Sequence, residues 1–184
     1  KIQEYIRRII RKLNEKDEAR HARLEQELGR RIGFVHSREY YIVKEFQWLI
    51  LKNRSDIKYS SKAHFDHKFN CYMSIYDYEH ELFKIDSNLA IFRDLKERYI
   101  SFNNKYVGNH KDAASGLSEI IQIYRDSGFK MFEDIADSLQ THRERIINSF
   151  IMVERIDKDG THPRRLSNGP MESLNRIPKD MKRH

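Results

Sequence analysis

Apolar residues stand at Ile2, Ile6, Ile9, Ile10 and Leu13, a spacing of i, i+4, i+7, i+8 and i+11 that puts them on one stripe of a helix. From residue 15 to residue 31 the chain is mostly charged, with Leu24 and Leu28 as its apolar points and Glu27 four residues before Arg31. That pattern reads as a solvated extension of the first helix, ended by Gly29 and Gly33. Ser37 is placed to cap a second helix that runs through Tyr40, Tyr41, Phe46, Trp48 and Leu51. Residues 53–62 are polar and turn-like, and a short helical stretch is expected over residues 65–73. Asp77 and Asp86 are the expected caps of the next two helices, the second carrying Leu89, Phe92, Leu95, Tyr99 and Phe102 at helical spacing. Asn103, Asn104 and Gly108 end it. A helix over residues 112–126 buries Leu117, Ile120, Ile121 and Tyr124, with Gly128 where a left-handed C-cap belongs. Another, over residues 129–150, buries Phe132, Ile135, Leu139, Ile146 and Phe150.

After residue 150 the helical period is lost. Residues 151–156 fit a short strand, Asp157-Lys158-Asp159-Gly160 is a turn signal, and Pro163 restricts any returning strand to an edge. A final helix is expected to start at Asn168-Gly169-Pro170, with Asn as cap and Pro in the first turn. Met171, Leu174, Ile177 and Met181 share one of its faces. Glu172, Asn175 or Arg176, Lys179, and Lys182 or Arg183 lie on the other. Pro178 removes an amide donor and crowds the preceding turn, so the helix kinks or ends there. By periodicity alone this is an ordinary amphipathic surface helix.

The 184 residues are 39% apolar and 34% charged, enough for one compact core. With 7 Gly and 3 Pro the chain lacks the punctuation of an all-β fold and the glycines of a phosphate loop. A mainly α fold follows, a helical bundle with at most a short β-hairpin near residues 151–166. The single cysteine, Cys71, excludes an internal disulfide and a four-cysteine zinc site and suits a reducing compartment. No run approaches the roughly 20 apolar residues of a membrane span, so a soluble protein without a membrane partner is expected.

The net charge of +7 is segregated. Residues 1–31 hold ten Lys and Arg against six acids, residues 32–154 hold 17 against 18, and residues 155–184 hold eight against four. Basic ends of this kind suit a polyanion such as nucleic acid, because Lys and Arg displace counterions from phosphates. His64, His67 and Cys71, with His80 nearby, have donor types that bind zinc, but closed zinc sites use four ligands in tighter, cysteine-rich patterns. Nine histidines in a polar chain produce such spacings by chance. A nucleophilic hydrolase would need a strand-turn-helix elbow of the G-x-S-x-G kind, and none is present. Tyr40, Tyr41, Phe46 and Trp48 could stack on bases, but their helical spacing points to core packing.

The run Arg165-Leu166-Ser167-Asn168-Gly169-Pro170-Met171-Glu172-Ser173-Leu174-Asn175-Arg176, with Lys179 and Lys182-Arg183 beyond it, closely resembles the end of bacterial insertion-sequence transposases of the ISL-three family, which have a DDE catalytic core. Ser37-Arg38-Glu39-Tyr40-Tyr41 and Ile146-Ile147-Asn148-Ser149-Phe150 agree with it in order and spacing. The resemblance extends from about Ser37 to His184, with residues 1–36 fitting more loosely.

That resemblance implies an RNase H-like core with two aspartates and a glutamate, interrupted by a helical insertion before the glutamate. Glu172 is then the glutamate, as catalytic residue and metal ligand. Arg164, Arg165, Asn168, Asn175, Arg176, Lys179, Lys182 and Arg183 are the implied DNA-binding residues. Phosphoryl transfer by such a triad uses two divalent ions, one for the attacking hydroxyl and one for the leaving oxygen. Mg2+ suits the site, or Mn2+ in its place. The implied partners are insertion-sequence ends, a target duplex and a second copy in a transposition complex, on the nucleoid in a bacterial cytoplasm.

No Val/Ile-rich strand bearing an aspartate precedes the first helix. The chain is therefore expected to be a C-terminal fragment. Residues 1–150 would be the helical insertion, and residues 151–184 a hairpin or loop with the glutamate helix of an incomplete catalytic core. Such a fragment holds no metal firmly and is inactive alone. The competing reading is a non-catalytic basic helical module that binds DNA or a protein partner.

Overall fold

The computed structural model describes residues 1–157 and 160–165. The chain divides into two compact units, Lys1–Glu97 and Arg98–His184, where composition alone suggested a single core. In the first unit, α1 spans Ile2–Leu28, α2 spans Arg38–Phe46 and α3 spans Trp48–Leu51. A 3-10 turn at Arg54–Asp56 leads to strands β1 (His64–Asp66) and β2 (Cys71–Met73), then to α4 (Ile75–Ile85) and α5 (Asn88–Lys105). The second unit holds the end of α5, then α6 (His110–Arg125), α7 (Lys130–Thr141) and α8 (Arg143–Asn148), then strands β3 (Met152–Asp157) and β4 (Gly160–Arg165). The fold is mainly α, as expected, and the hairpin expected near residues 151–166 is present as β3 and β4.

The first core is built by the stripes legible in the sequence. Ile6, Ile42, Val43, Leu49, Ile50, Leu82 and Leu89 are buried, and Ile2, Ile9, Ile10 and Leu13 of α1 pack against them. Tyr41, Phe46 and Trp48 pack against the same core, while Tyr40 stacks on His36 at 3.8 Å. Ser37 caps α2, its Oγ accepting from the Tyr40 N–H at 3.2 Å. The helix expected through Leu51 is broken after Phe46, and α3 is closed from outside. There the Lys96 ammonium donates to the carbonyls of Ile50 at 2.9 Å, Leu51 at 3.3 Å and Lys52. A cation is well placed at a helix C-terminus, where carbonyls lack intrahelical partners.

The second half of α1 departs from the solvated extension expected of it. Asp17, His21 and Glu25 recur every fourth residue and face the returning segment before α2. Glu25 accepts from the Ile32 N–H at 3.0 Å, the His21 Nε2 lies 3.1 Å from the Ile32 carbonyl, and Arg20 donates to the Val35 carbonyl at 3.0 Å. The helix ends at Gly29, with φ 61°. Its polar stripe is an interface made of hydrogen bonds, which hydrophobic periodicity does not reveal.

Residues 65–73, expected to be helical, are instead a hairpin in which Phe65 faces Tyr72 and Asp66 faces Cys71. Asn70, at φ 52°, makes the turn, a conformation Asn tolerates better than most residues. Ser74, not Asp77, is the N-cap of α4. Asp77 is the third residue of a capping box and accepts from the Ser74 N–H and Oγ, both at 2.7 Å. Asp86 closes α4 and also accepts from the Asn88 N–H at 2.9 Å.

In the second unit Leu117, Ile120, Ile121, Tyr124, Phe132, Ala136 and Leu139 are buried. Tyr124 meets Phe132 edge-on at 5.1 Å. The long helix expected over residues 129–150 breaks at His142, and Arg143 fastens the start of α8 to α6 through the Ala114 carbonyl and Ser118 Oγ, each at 2.8 Å. At Gly116, α6 lies against the Tyr106 ring. A Cβ there would stand 2.3 Å from the Tyr106 ring, so only glycine fits without displacing it.

Candidate nucleic-acid interface

Glu172 and its neighbours Asn168, Asn175, Arg176, Lys179, Lys182 and Arg183, with the helix expected to carry them, lie outside the described residues. The chain leading toward them is described. β4 carries Arg164 and Arg165, opposite Val153 and Met152 of β3, and Arg164 is exposed. Pro163 sits in β4 opposite Glu154. In a two-stranded sheet one side of each strand needs no ladder donor, which is the position proline tolerates. Just before β3, Phe150 is fully buried and meets Phe102 edge-on at 5.2 Å. Met152 lies 3.4 Å from where a Cβ on Gly108 would stand. The hairpin thus starts from the core of its unit.

At the other basic end, the cations of α1 are partly committed to the fold. The Arg20 guanidinium lies 3.3 Å from the Asp17 carboxylate as well as on Val35. Lys16, Arg20 and Arg23 line a cleft of about 390 Å³ together with Asp17 and Glu39. Two carboxylates beside three cations leave that cleft with little net attraction for an anion.

His64, His67 and Cys71 fall on β1, on the turn and on β2. Among the described residues no group of three or more His, Cys, Asp or Glu could hold a metal ion. The inner face of this hairpin is organised by Asp66, which is 8% exposed. Its carboxylate accepts from the Tyr78 hydroxyl at 2.6 Å, the Tyr41 hydroxyl at 3.4 Å, and the N–H groups of Lys68 at 2.7 Å and Phe69 at 3.3 Å. Burial works to raise the Asp66 carboxyl, but these donors outweigh it and hold it below the usual carboxylate range. Burial, and then the hydrogen bond to Asp66, push the Tyr78 hydroxyl well above its usual value, and Tyr41 shifts the same way. Both phenols therefore stay protonated as donors.

The outer face is aromatic. Phe65 and Tyr72 are 43% and 71% exposed, with ring centroids 5.4 Å apart, and His67 meets Phe65 edge-on at 5.1 Å. Neither Phe65 nor Tyr72 is a candidate when residues 65–73 are read as a helix. The local cue in the sequence is Asn70, a residue that tolerates the left-handed turn between the two short runs.

A family model described as transposase, for DDE enzymes of the ISL-three group, matches residues 6–184. No curated protein and no solved structure matches.

Proposed function

The chain belongs to this transposase family, and from that premise we propose that it is part of an enzyme that cuts and rejoins DNA at the ends of an insertion sequence. The observation that carries the reading is the extent of the match. It takes in both units, the β3–β4 hairpin and the run from Arg165 to Arg176 where Glu172 stands.

In this reading Glu172 supplies one carboxylate of the DDE triad and so one ligand to a divalent ion, Mg2+ or Mn2+. The described residues do not themselves provide a metal site. One carboxylate cannot hold two ions, so the chain alone is inert in cleavage. Arg164, Arg165, Arg176, Lys179, Lys182 and Arg183 hold DNA by its phosphates, with Asn168 and Asn175 as further hydrogen-bonding partners. Such contacts position a duplex without reading its sequence. A second copy of the chain in the complex, and action on the nucleoid of a bacterial cytoplasm, belong to the same reading. Among the described residues no helix is long and apolar enough to cross a membrane.

The chain is expected to bind duplex DNA of unrelated sequences alike, with affinity that falls as salt rises. Reversing the charges of Arg176, Lys179, Lys182 and Arg183 together should weaken binding to every sequence. If that variant binds as the parent does across a salt titration, the last segment is not the DNA-facing one. If the parent binds no duplex at any salt concentration, the DNA-handling role is lost with it.

A further inference from the structure

We propose that the β1–β2 hairpin is a stacking platform for unpaired bases of DNA, with Phe65 and Tyr72 as the stacking side chains and Lys58, Lys62 and Lys68 as the phosphate contacts. The inference rests on the transposase reading for its choice of nucleic acid.

Antiparallel pairing of Phe65 with Tyr72 puts both on the face opposite to Asp66 and Met73, which are buried. Their rings stand 73° apart, so the pair offers aromatic surface in two directions. Burial of Asp66 and its four hydrogen bonds fix the turn from beneath, which presents the outer pair on a firm support. The chain segment that carries the pair is rich in cations. From residue 58 to residue 76 there are three lysines and two histidines, and Asp66 is the one acid. Its carboxylate is turned inward. The next acids along the chain are also occupied, Asp77 by Ser74 and Glu79 by Arg93 and Tyr59. Lys58 and Lys62 are exposed, and the Lys68 ammonium lies 5.7 Å from the centre of the Tyr41 ring.

Exposed rings set among cations have two complementary partners in one molecule, base faces and phosphates. Bases inside a duplex are already stacked on each other. The occupant is therefore a stretch with unpaired bases, such as a strand end opened during cutting and rejoining.

The test uses the full chain and a short fluorescent oligonucleotide, offered as a single strand and as its duplex, in fluorescence anisotropy across a salt series. Phe65→Leu and Tyr72→Leu combined keep apolar bulk but remove both rings. They should weaken single-strand binding about tenfold or more and leave duplex binding within about twofold. Tyr72→Trp should restore single-strand affinity in the Phe65→Leu background. Lys58→Gln, Lys62→Gln and Lys68→Gln together should flatten the salt dependence of single-strand binding by a log–log slope of roughly 2. A leucine pair that binds the single strand as tightly as the parent overturns the platform while duplex binding, and the transposase reading, stand. Equal losses on both substrates overturn it as well, since stacking cannot act on paired bases. Absence of duplex binding by the parent would instead be the failure of the underlying reading.

Discussion

The carboxylate of Asp17 holds both the N–H and the hydroxyl of Ser37, at 2.7 and 2.9 Å. Ser37 is the N-cap of α2, so one buried acid on α1 fixes the residue that starts the next helix. Asp17 is 2% exposed, and the His36 ring nitrogen lies 3.6 Å from the same carboxylate oxygen. The contact joins the two helices by charge-assisted hydrogen bonds, which are stronger than neutral ones.

Removing that acid should leave two part-buried donors without their partner. Asp17→Ala is expected to destabilise the chain by about 2–3 kcal/mol, and Ser37→Ala by about 1 kcal/mol. Because both changes break one network, urea unfolding of the double variant should show a cost smaller than the sum. Strict additivity would mean that the two residues act separately.

Gly116 gives a steric prediction. Alanine in a helix is normally favoured over glycine by about 1 kcal/mol, but the added methyl would meet the Tyr106 ring at 2.3 Å. Gly116→Ala should therefore destabilise, by about 1–3 kcal/mol. Adding Tyr106→Ser should recover much of the loss. A thermal melt in which Gly116→Ala stabilises the protein would contradict the packing.

Asp66 predicts a response to acid. Its carboxyl lies below the usual range in the folded chain, so its stabilising effect is present above about pH 4, the ordinary carboxylate value. That effect is lost as pH falls toward and through the folded value. Asp66→Asn should lower the urea midpoint at pH 7 and flatten its decline below about pH 4. A variant whose midpoint falls as steeply in acid as the parent's would remove Asp66 from the acid response.

Much of this fold is written in periodicity. The stripe from Ile2 to Leu13 and the run from Leu89 to Phe102 became core-facing helices because burial follows helical spacing over many residues. The hairpin at residues 64–73 is hidden for the opposite reason. Three residues per strand are too few to establish a period of two, and Phe65, Phe69 and Met73 also fit helical spacing. The polar face of Asp17, His21 and Glu25 reads as solvated, since a charge pattern does not say whether a carboxylate meets water or a backbone N–H. The end of α3 is closed by Lys96, a contact made 44 residues away at Lys52, and no local pattern encodes it. For the site, the resemblance carried by residues 165–176 points to Glu172, which lies outside the described residues. Strand pairing, which decides the way the side chains of Phe65 and Tyr72 face, is not legible in the sequence.

The central claim is that Glu172 is the glutamate of a transposase triad, and strand transfer measured beside DNA binding tests it most directly. The assay uses an active transposase of this family that contains this segment, in Mg2+ or Mn2+. Glu172→Gln keeps the size and hydrogen-bonding reach of the side chain while removing the charge that attracts a cation. The expected result is loss of cleavage and joining at element ends, with duplex affinity within about twofold of the parent because the cations hold the phosphates. Cleavage retained by the glutamine variant would contradict the assignment.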